Sequence, residues 1–217
     1  MVVIESKRKK RENILKSYPE AVIIDITSKA EDDFVRLSPF YPHGGIPVPY
    51  SNGVTAACVE GIWQGLKVFE QEDIDTSMFA NNTMKNIKRS VRTHGRVLGH
   101  RKGVNSSEIL NYVEAKHSIY IPAYKWTLEH KTQDLVEKIR QLSSKGVVVL
   151  LDYNTCCDVD DATKPLSHAF LVKAYAEGYY PYGEKHYPTE EAPKTKSKKK
   201  TSKKKKETKN DKQLSLF

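Results

Sequence analysis

Gly146-Val147-Val148-Val149-Leu150-Leu151-Asp152-Tyr153 reads as a buried strand, an unbroken apolar and largely β-branched run opened by a glycine and stopped by an aspartate. A helix from about Thr127 to Ser143 leads into it, and a last helix from about Pro165 to Ala176 follows it. Ala21-Val22-Ile23-Ile24-Asp25-Ile26 is a second compact strand. Further helices are expected over residues 5–16, 57–70, 77–92 and 106–117. Residues 38–53 hold four prolines and three glycines together with Phe40, Tyr41 and Tyr50, which makes a shaped loop too apolar for a linker. The class that follows is α+β, a mostly helical single domain with a few short strands, over residues 1–187.

The 217 residues suffice for one ordinary domain and a tail. The formal charge is +9, but its distribution matters more than its size. From Lys194 to Lys212 there are 11 lysines against Glu207 and Asp211, so residues 1–193 are formally neutral. A broad basic face on the body is therefore not expected, although a local patch is compatible with the count. Cys58, Cys156 and Cys157 form no CxxC pair, which argues against structural zinc and a disulfide framework. Met1-Val2-Val3-Ile4 runs straight into Lys7-Arg8-Lys9-Lys10-Arg11, too short for a signal peptide, and no run approaches a membrane span. A cytoplasmic protein without membrane contact is the expectation.

Three segments carry chemistry. In Val59-Glu60-Gly61-Ile62-Trp63-Gln64-Gly65-Leu66-Lys67, the apolar residues Val59, Ile62, Trp63 and Leu66 follow helical spacing. Glu60, Gln64 and Lys67 follow the same spacing on the neighbouring stripe, so a carboxylate, an amide and an ammonium stack beside the core face. The plain alternative is a solvated Glu/Lys pair. Two glycines weaken this helix, and close approach of another group would explain them. The second segment, Gly95 to Gly103, alternates glycines with cations and suits an anion-binding loop or a basic turn. The third is acidic: Asp158, Asp160 and Asp161 follow the strand ending at Asp152. It reads as a hydrated loop, a cation site or the source of a catalytic carboxylate, and it does not fit an EF-hand. His168, among Leu166, Phe170 and Leu171, reads as a structural histidine.

Taken in order, these segments resemble the NADAR family, the YbiA-like proteins that act on N-glycosidic bonds of ADP-ribose-related or ribosylated compounds. The resemblance covers residues 38–175. It rests on Phe40-Tyr41-Pro42, on Glu60, Gln64 and Lys67, on Leu98-Gly99-His100-Arg101, on Pro122 through Trp126, and on the acidic residues 158–161. Residues 103–121 look like an insertion, and Thr155-Cys156-Cys157-Asp158 stands where the family has a Trp-Gly step, which marks a divergent branch. The resemblance implies Glu60 as the catalytic carboxylate, with Asp158 or Asp161 as a second. Substrate would be held by Phe40, Tyr41, Trp63, Gln64, Lys67, Gly99, His100, Arg101, Lys102 and Trp126. No metal or cofactor is implied. A carboxylate suits this chemistry, because it stabilises an oxocarbenium-like state and activates water.

Residues 188–212 are Lys-, Thr-, Ser- and Glu-rich and are expected to form a disordered tether. It ends in Gln213-Leu214-Ser215-Leu216-Phe217, apolar side chains that a polar tail cannot bury. The five residues resemble the peptide that docks on the bacterial DNA sliding clamp. That implies subsites for Gln213, Leu214, Leu216 and Phe217, while the lysines touch DNA phosphates. Both resemblances together imply an N-glycosidase acting on ADP-ribosylated guanine in DNA at the bacterial replication fork. The alternatives are an N-glycosidase of free ribosylated nucleotides and a non-catalytic, phage-encoded clamp-binding factor.

Overall fold

The computed structural model describes residues 1–181. Its organising strand is the run quoted first, whose five ladder residues Val148–Asp152 are all buried. In chain order, β1 is Val2–Ser6, α1 is Arg11–Ser17 and β2 is Val22–Asp25. Short strands β3 (Ile46–Pro47) and β4 (Thr55–Ala56) pair as a hairpin before α2 (Val59–Gly65). Then come β5 (Lys67–Phe69), α3 (Val91–His94), β6 (Val97–Arg101) and β7 (Ile109–Leu110). α4 (Tyr112–Ala115) passes through a π-helical turn, Lys116–Tyr120, into α5 (Ile121–His130). α6 (Gln133–Lys145), β8 (Val148–Asp152) and α7 (His168–Ala176) complete a compact α+β body.

The main sheet is parallel, ordered β1-β8-β2, with Val2 and Val22 both opposite Val148. Continuous Val/Leu composition suits β8 because it is bonded on both edges and covered on both faces. Ile14 of α1 packs on Val149 and Leu151 on one face. Leu128, Ile139 and Leu171, from α5, α6 and α7, join the cluster containing Val148 and Leu150 on the other. All three strands end at the same edge. A second sheet, β5-β6-β7, is antiparallel. Among the described residues, no helix is long and apolar enough to cross a membrane.

Several expected helices are corrected. Residues 2–6 pair with β8, so the N-terminal helix begins only at Arg11 and the basic run before it is a loop. The expected helix 77–92 is a 3-10 turn, Thr76–Ala80, followed by irregular chain. There Asn81 Oδ1 accepts from the Thr83 backbone, Asn81 Nδ2 donates to the Lys85 carbonyl, and Met84 and Asn86 have positive φ. Short polar side chains outcompete the helix for its own backbone. The expected helix 106–117 starts only at Tyr112, after a capping box in which Asn111 and Glu114 bond each other's backbone N–H. Helix 57–70 is shortened to α2, and its two glycines have a packing reason. A Cβ on Gly61 would meet the Met78 carbonyl at 2.7 Å, and one on Gly65 the Phe79 ring at 2.4 Å. The 3-10 turn lies against that glycine face.

Candidate functional site

The C-terminal edge of the parallel sheet opens onto a cleft of about 690 Å³. Open parallel sheets bind ligands beyond the carboxyl ends of their strands. Here Arg8 follows β1, Thr27 and Ser28 follow β2, and Tyr153 and Asn154 follow β8. The facing wall is α2 with the loop before it. The Glu60 N–H donates to the Pro39 carbonyl at 2.8 Å, which fixes Phe40 on the rim.

Three side chains form a chain along that wall. Lys67 Nζ donates to Gln64 Oε1 at 3.0 Å, and Gln64 Nε2 donates to Glu60 Oε1 at 2.8 Å. The Arg89 backbone N–H also donates to Gln64 Oε1, at 3.2 Å. Two donors on one oxygen leave the amide a single sensible orientation, with its N–H groups toward Glu60. Glu60 is 8% exposed, and its second oxygen has no hydrogen bond among the described residues. Burial pushes its carboxyl above the ordinary 4.5, outweighing the Gln64 hydrogen bond and the charge of Lys67. Burial likewise lowers Lys67 from 10.5. Arg89 ties this wall down, its guanidinium donating to the carbonyls of Gln64, Lys67 and Asp73 at 3.2, 2.6 and 2.6 Å.

Aromatic and cationic groups complete the lining. Trp63 meets Tyr112 and Tyr120 edge-on, with centroids at 5.8 and 5.6 Å. Lys116 opens the π-helical turn, is 1% exposed, and donates to the Asp161 carbonyl at 2.7 Å. Such turns widen a helix locally and recur at functional sites. Lys88 stands 5.8 Å over the Phe40 ring. Arg8 donates to the Tyr153 carbonyl at 3.4 Å and covers that ring at 5.6 Å.

At the strand-edge wall, His168 Nδ1 pairs with Asp152 Oδ2 at 2.9 Å and Nε2 bonds the Ile26 carbonyl at 2.9 Å. Ser167 Oγ donates to Asp152 Oδ2 at 2.8 Å. Burial opposes the charge on each partner. The ion pair and its hydrogen bonds prevail, holding His168 above 6.5 and Asp152 below 3.8. Both ring nitrogens face acceptors, so His168 is a charged structural group and no free base.

Of the residues singled out in the sequence, the cleft brings together Phe40, Glu60, Trp63, Gln64 and Lys67. Asp152 and His168 line it too, and the remaining candidates lie elsewhere. Tyr41 packs on His43, with centroids 4.8 Å apart, and Trp126 stacks on His130 at 4.5 Å. The supposed anion loop is strand β6. Arg101 is paired with Asp73, Lys102 with Glu108 at 3.0 Å, and a Cβ on Gly99 would strike the Leu110 carbonyl at 2.3 Å. These cations are neutralised, and the glycine serves strand pairing. His100 is buried behind Trp63, ring centroids 3.8 Å apart. Asp158 and Asp161 turn the late loop, accepting from the Asp160 and Thr163 backbones, and do not line the cleft. Among the described residues, no three His, Cys, Asp or Glu side chains gather to hold a metal ion. The lysine tether and the residues 213–217 lie outside the described residues.

Sequence reading missed Arg8, Lys88, Tyr112, Lys116 and Tyr120 as lining groups. None of them carried a local signal: Arg8 owes its place to β1, a strand the sequence does not reveal. A family model described as a family of unknown function, DUF6939, matches residues 6–172, a span that includes both cleft walls. No curated protein matches the chain.

Proposed function

The chain belongs to the family DUF6939, and we propose that this member is an N-glycosidase of NADAR-like fold that removes ADP-ribose, or a related ribosyl adduct, from guanine in DNA. One observation carries the reading: a buried carboxylate held through one oxygen by Gln64, with its other oxygen left for a ligand. In the reaction, water adds to the anomeric carbon as the bond to the base nitrogen breaks. Glu60 takes the water proton and returns it to the departing nitrogen, so the carboxylate is restored. Its raised pKa suits both transfers. Gln64 fixes the carboxylate, Trp63 and Tyr120 flank the sugar or base, and Lys88, with Arg8, attracts phosphates. This moves phosphate binding from Arg101 and Lys102 to the cleft mouth. The terminal peptide would dock on the sliding clamp and bring the cleft to replicating DNA.

A cleft of this volume also accommodates a free nucleotide. Turnover of ADP-ribosylated oligonucleotide is therefore to be compared with turnover of the free ribosylated nucleotide by the full chain and by Glu60→Gln. The reading expects faster release from DNA and its loss in Glu60→Gln. Retained release by that variant refutes the assignment. Clamp docking is tested by clamp pull-down with and without residues 213–217, and capture that survives the deletion refutes it.

A further inference from the structure

Two concavities share the C-terminal edge of the parallel sheet. One is the cleft. The other opens on the opposite face, beside α1, with a volume of about 300 Å³; Lys7, Lys9, Arg11 and Asp25 surround its floor of Ile14 and Ile23. Between them runs Lys7-Arg8-Lys9-Lys10-Arg11, five cations in succession on a body that is formally neutral over residues 1–193. The run is not a loose tail. The Lys7 N–H donates to the Asp152 carbonyl at 2.8 Å, and the Lys9 N–H to the Ser6 carbonyl at 2.9 Å. Its side chains divide between the two sides. Lys7 and Lys9 line the smaller pocket, while Arg8 turns into the cleft. Among the described residues, carboxylates offset two of the five, Asp25 on Lys7 at 2.6 Å and Glu5 on Lys9 at 2.7 Å. Lys10 and Arg11 are exposed and have no ion pair or hydrogen-bonding side-chain partner among the described residues.

We infer that this run is a phosphate track, holding the backbone of a nucleic-acid strand whose modified nucleotide enters the cleft past Arg8. A row of cations on a fixed backbone, leading into a nucleotide-sized cleft, matches the repeating charge of a phosphodiester chain. Tyr153, 41% exposed beneath the Arg8 guanidinium, offers a neighbouring base an aromatic face. The inference rests on the nucleic-acid half of the proposed function and is independent of the chemistry assigned to Glu60.

The test is a salt titration of full-length protein binding to a short fluorescein-labelled DNA duplex. Wild type is compared with Lys10→Glu/Arg11→Glu, with Lys10→Gln/Arg11→Gln, and with Lys145→Glu at the opposite end of the sheet. The tether contributes equally to all four. Each phosphate contact adds about 0.9 to the slope of log affinity against log salt, so both double variants should have slopes shallower by about 2. Lys145→Glu should keep the wild-type slope, and because the slope is read from binding without turnover, failure of the track is separated from failure of the glycosidase reading. Double variants with the Lys145→Glu slope overturn the inference. So does a loss of binding confined to vesicles containing phosphatidylserine, which would assign the run to a lipid surface. Circular dichroism melts of each variant establish that the comparison is between folded proteins.

Discussion

Two carboxylates line the same cleft and are nearly as deeply buried, Glu60 at 8% and Asp152 at 3% exposure, yet they titrate in opposite directions. Burial pushes both upward. Asp152 touches the His168 imidazolium and accepts from Ser167 Oγ and the Ala169 N–H, which together bring it below 3.8. Among the described residues the Glu60 carboxylate is hydrogen-bonded only by the neutral amide of Gln64, and Lys67 bonds the far side of that amide. It stays above 4.5. The kind of partner, and not depth, decides which carboxylate can exchange a proton. The α2 wall thus holds a carboxylate that keeps its proton more readily, and the strand-edge wall one locked in an ion pair, which is the contrast the proposed chemistry relies on.

The largest effect that would break this contrast is chemical. Glu60→Gln should lower turnover of ADP-ribosylated DNA by about 10²- to 10⁴-fold, the usual worth of a positioned acid–base group. It should not lower stability at neutral pH. A raised carboxyl pKa means the folded state holds its proton more tightly than the unfolded chain, so wild-type stability falls as pH rises above 4.5 through the raised value. The glutamine does not titrate, and its melting temperature should overtake wild type over that interval.

Asp152→Ala should do the reverse. It leaves a buried imidazolium unpaired and should cost about 3–5 kcal/mol in urea unfolding. The lowered Asp152 pKa contributes stability above 3.8 that is lost as pH falls through the folded value. The raised His168 pKa contributes stability below 6.5 that is lost as pH rises through its folded value. The gap between wild type and variant should therefore be widest between those two pH values and narrow on either side. A constant gap would mean that the pair serves as packing alone.

The two walls also differ in how far the sequence reveals them. Glu60, Gln64 and Lys67 lie within eight residues, and helical spacing alone puts the first two on one stripe. Lys67 reaches the stripe from the first residue of β5, so the spacing found the right residues although the helix stops short. Arg8, Thr27 and Asp152 meet only because β1, β2 and β8 are parallel and end together, and no local pattern encodes that pairing. Strand β1 was hidden by its brevity and by the basic run after it. The β6 cations failed for the opposite reason. Their local pattern resembled a phosphate loop, and Asp73 and Glu108, supplied from outside the segment, neutralise it. The π-helical turn that buries Lys116 has no signature in the sequence.

A smaller perturbation sharpens the contrast on the α2 wall. Lys67→Met removes a charge that favours ionised Glu60, so the carboxyl should rise further and the limb of the pH–rate profile should move to higher pH. Turnover at neutral pH should fall several-fold, while turnover above the new limb recovers. A fall in turnover at every pH would instead make Lys67 a substrate ligand.

His100 is the limiting case, a buried ionisable group with no hydrogen-bonding or charged partner among the described residues. It is 1% exposed, neither ring nitrogen is hydrogen-bonded, and burial pushes its pKa down to about 3. It therefore stays neutral and leaves an N–H unsatisfied, which costs about 1–3 kcal/mol. His100→Leu removes that cost and loses some of the stacking on Trp63, 3.8 Å away. At neutral pH the two should nearly cancel, with a net gain of about 1 kcal/mol or less in urea unfolding. The gain should grow in acid. The unfolded histidine takes a proton below 6.5 that the folded one refuses, so wild type loses stability as pH falls from 6.5 toward 3, and the leucine variant is spared that loss. Destabilisation at neutral pH, or acid sensitivity equal to wild type, would mean that His100 has a partner in solution and that the wall behind Trp63 is wet.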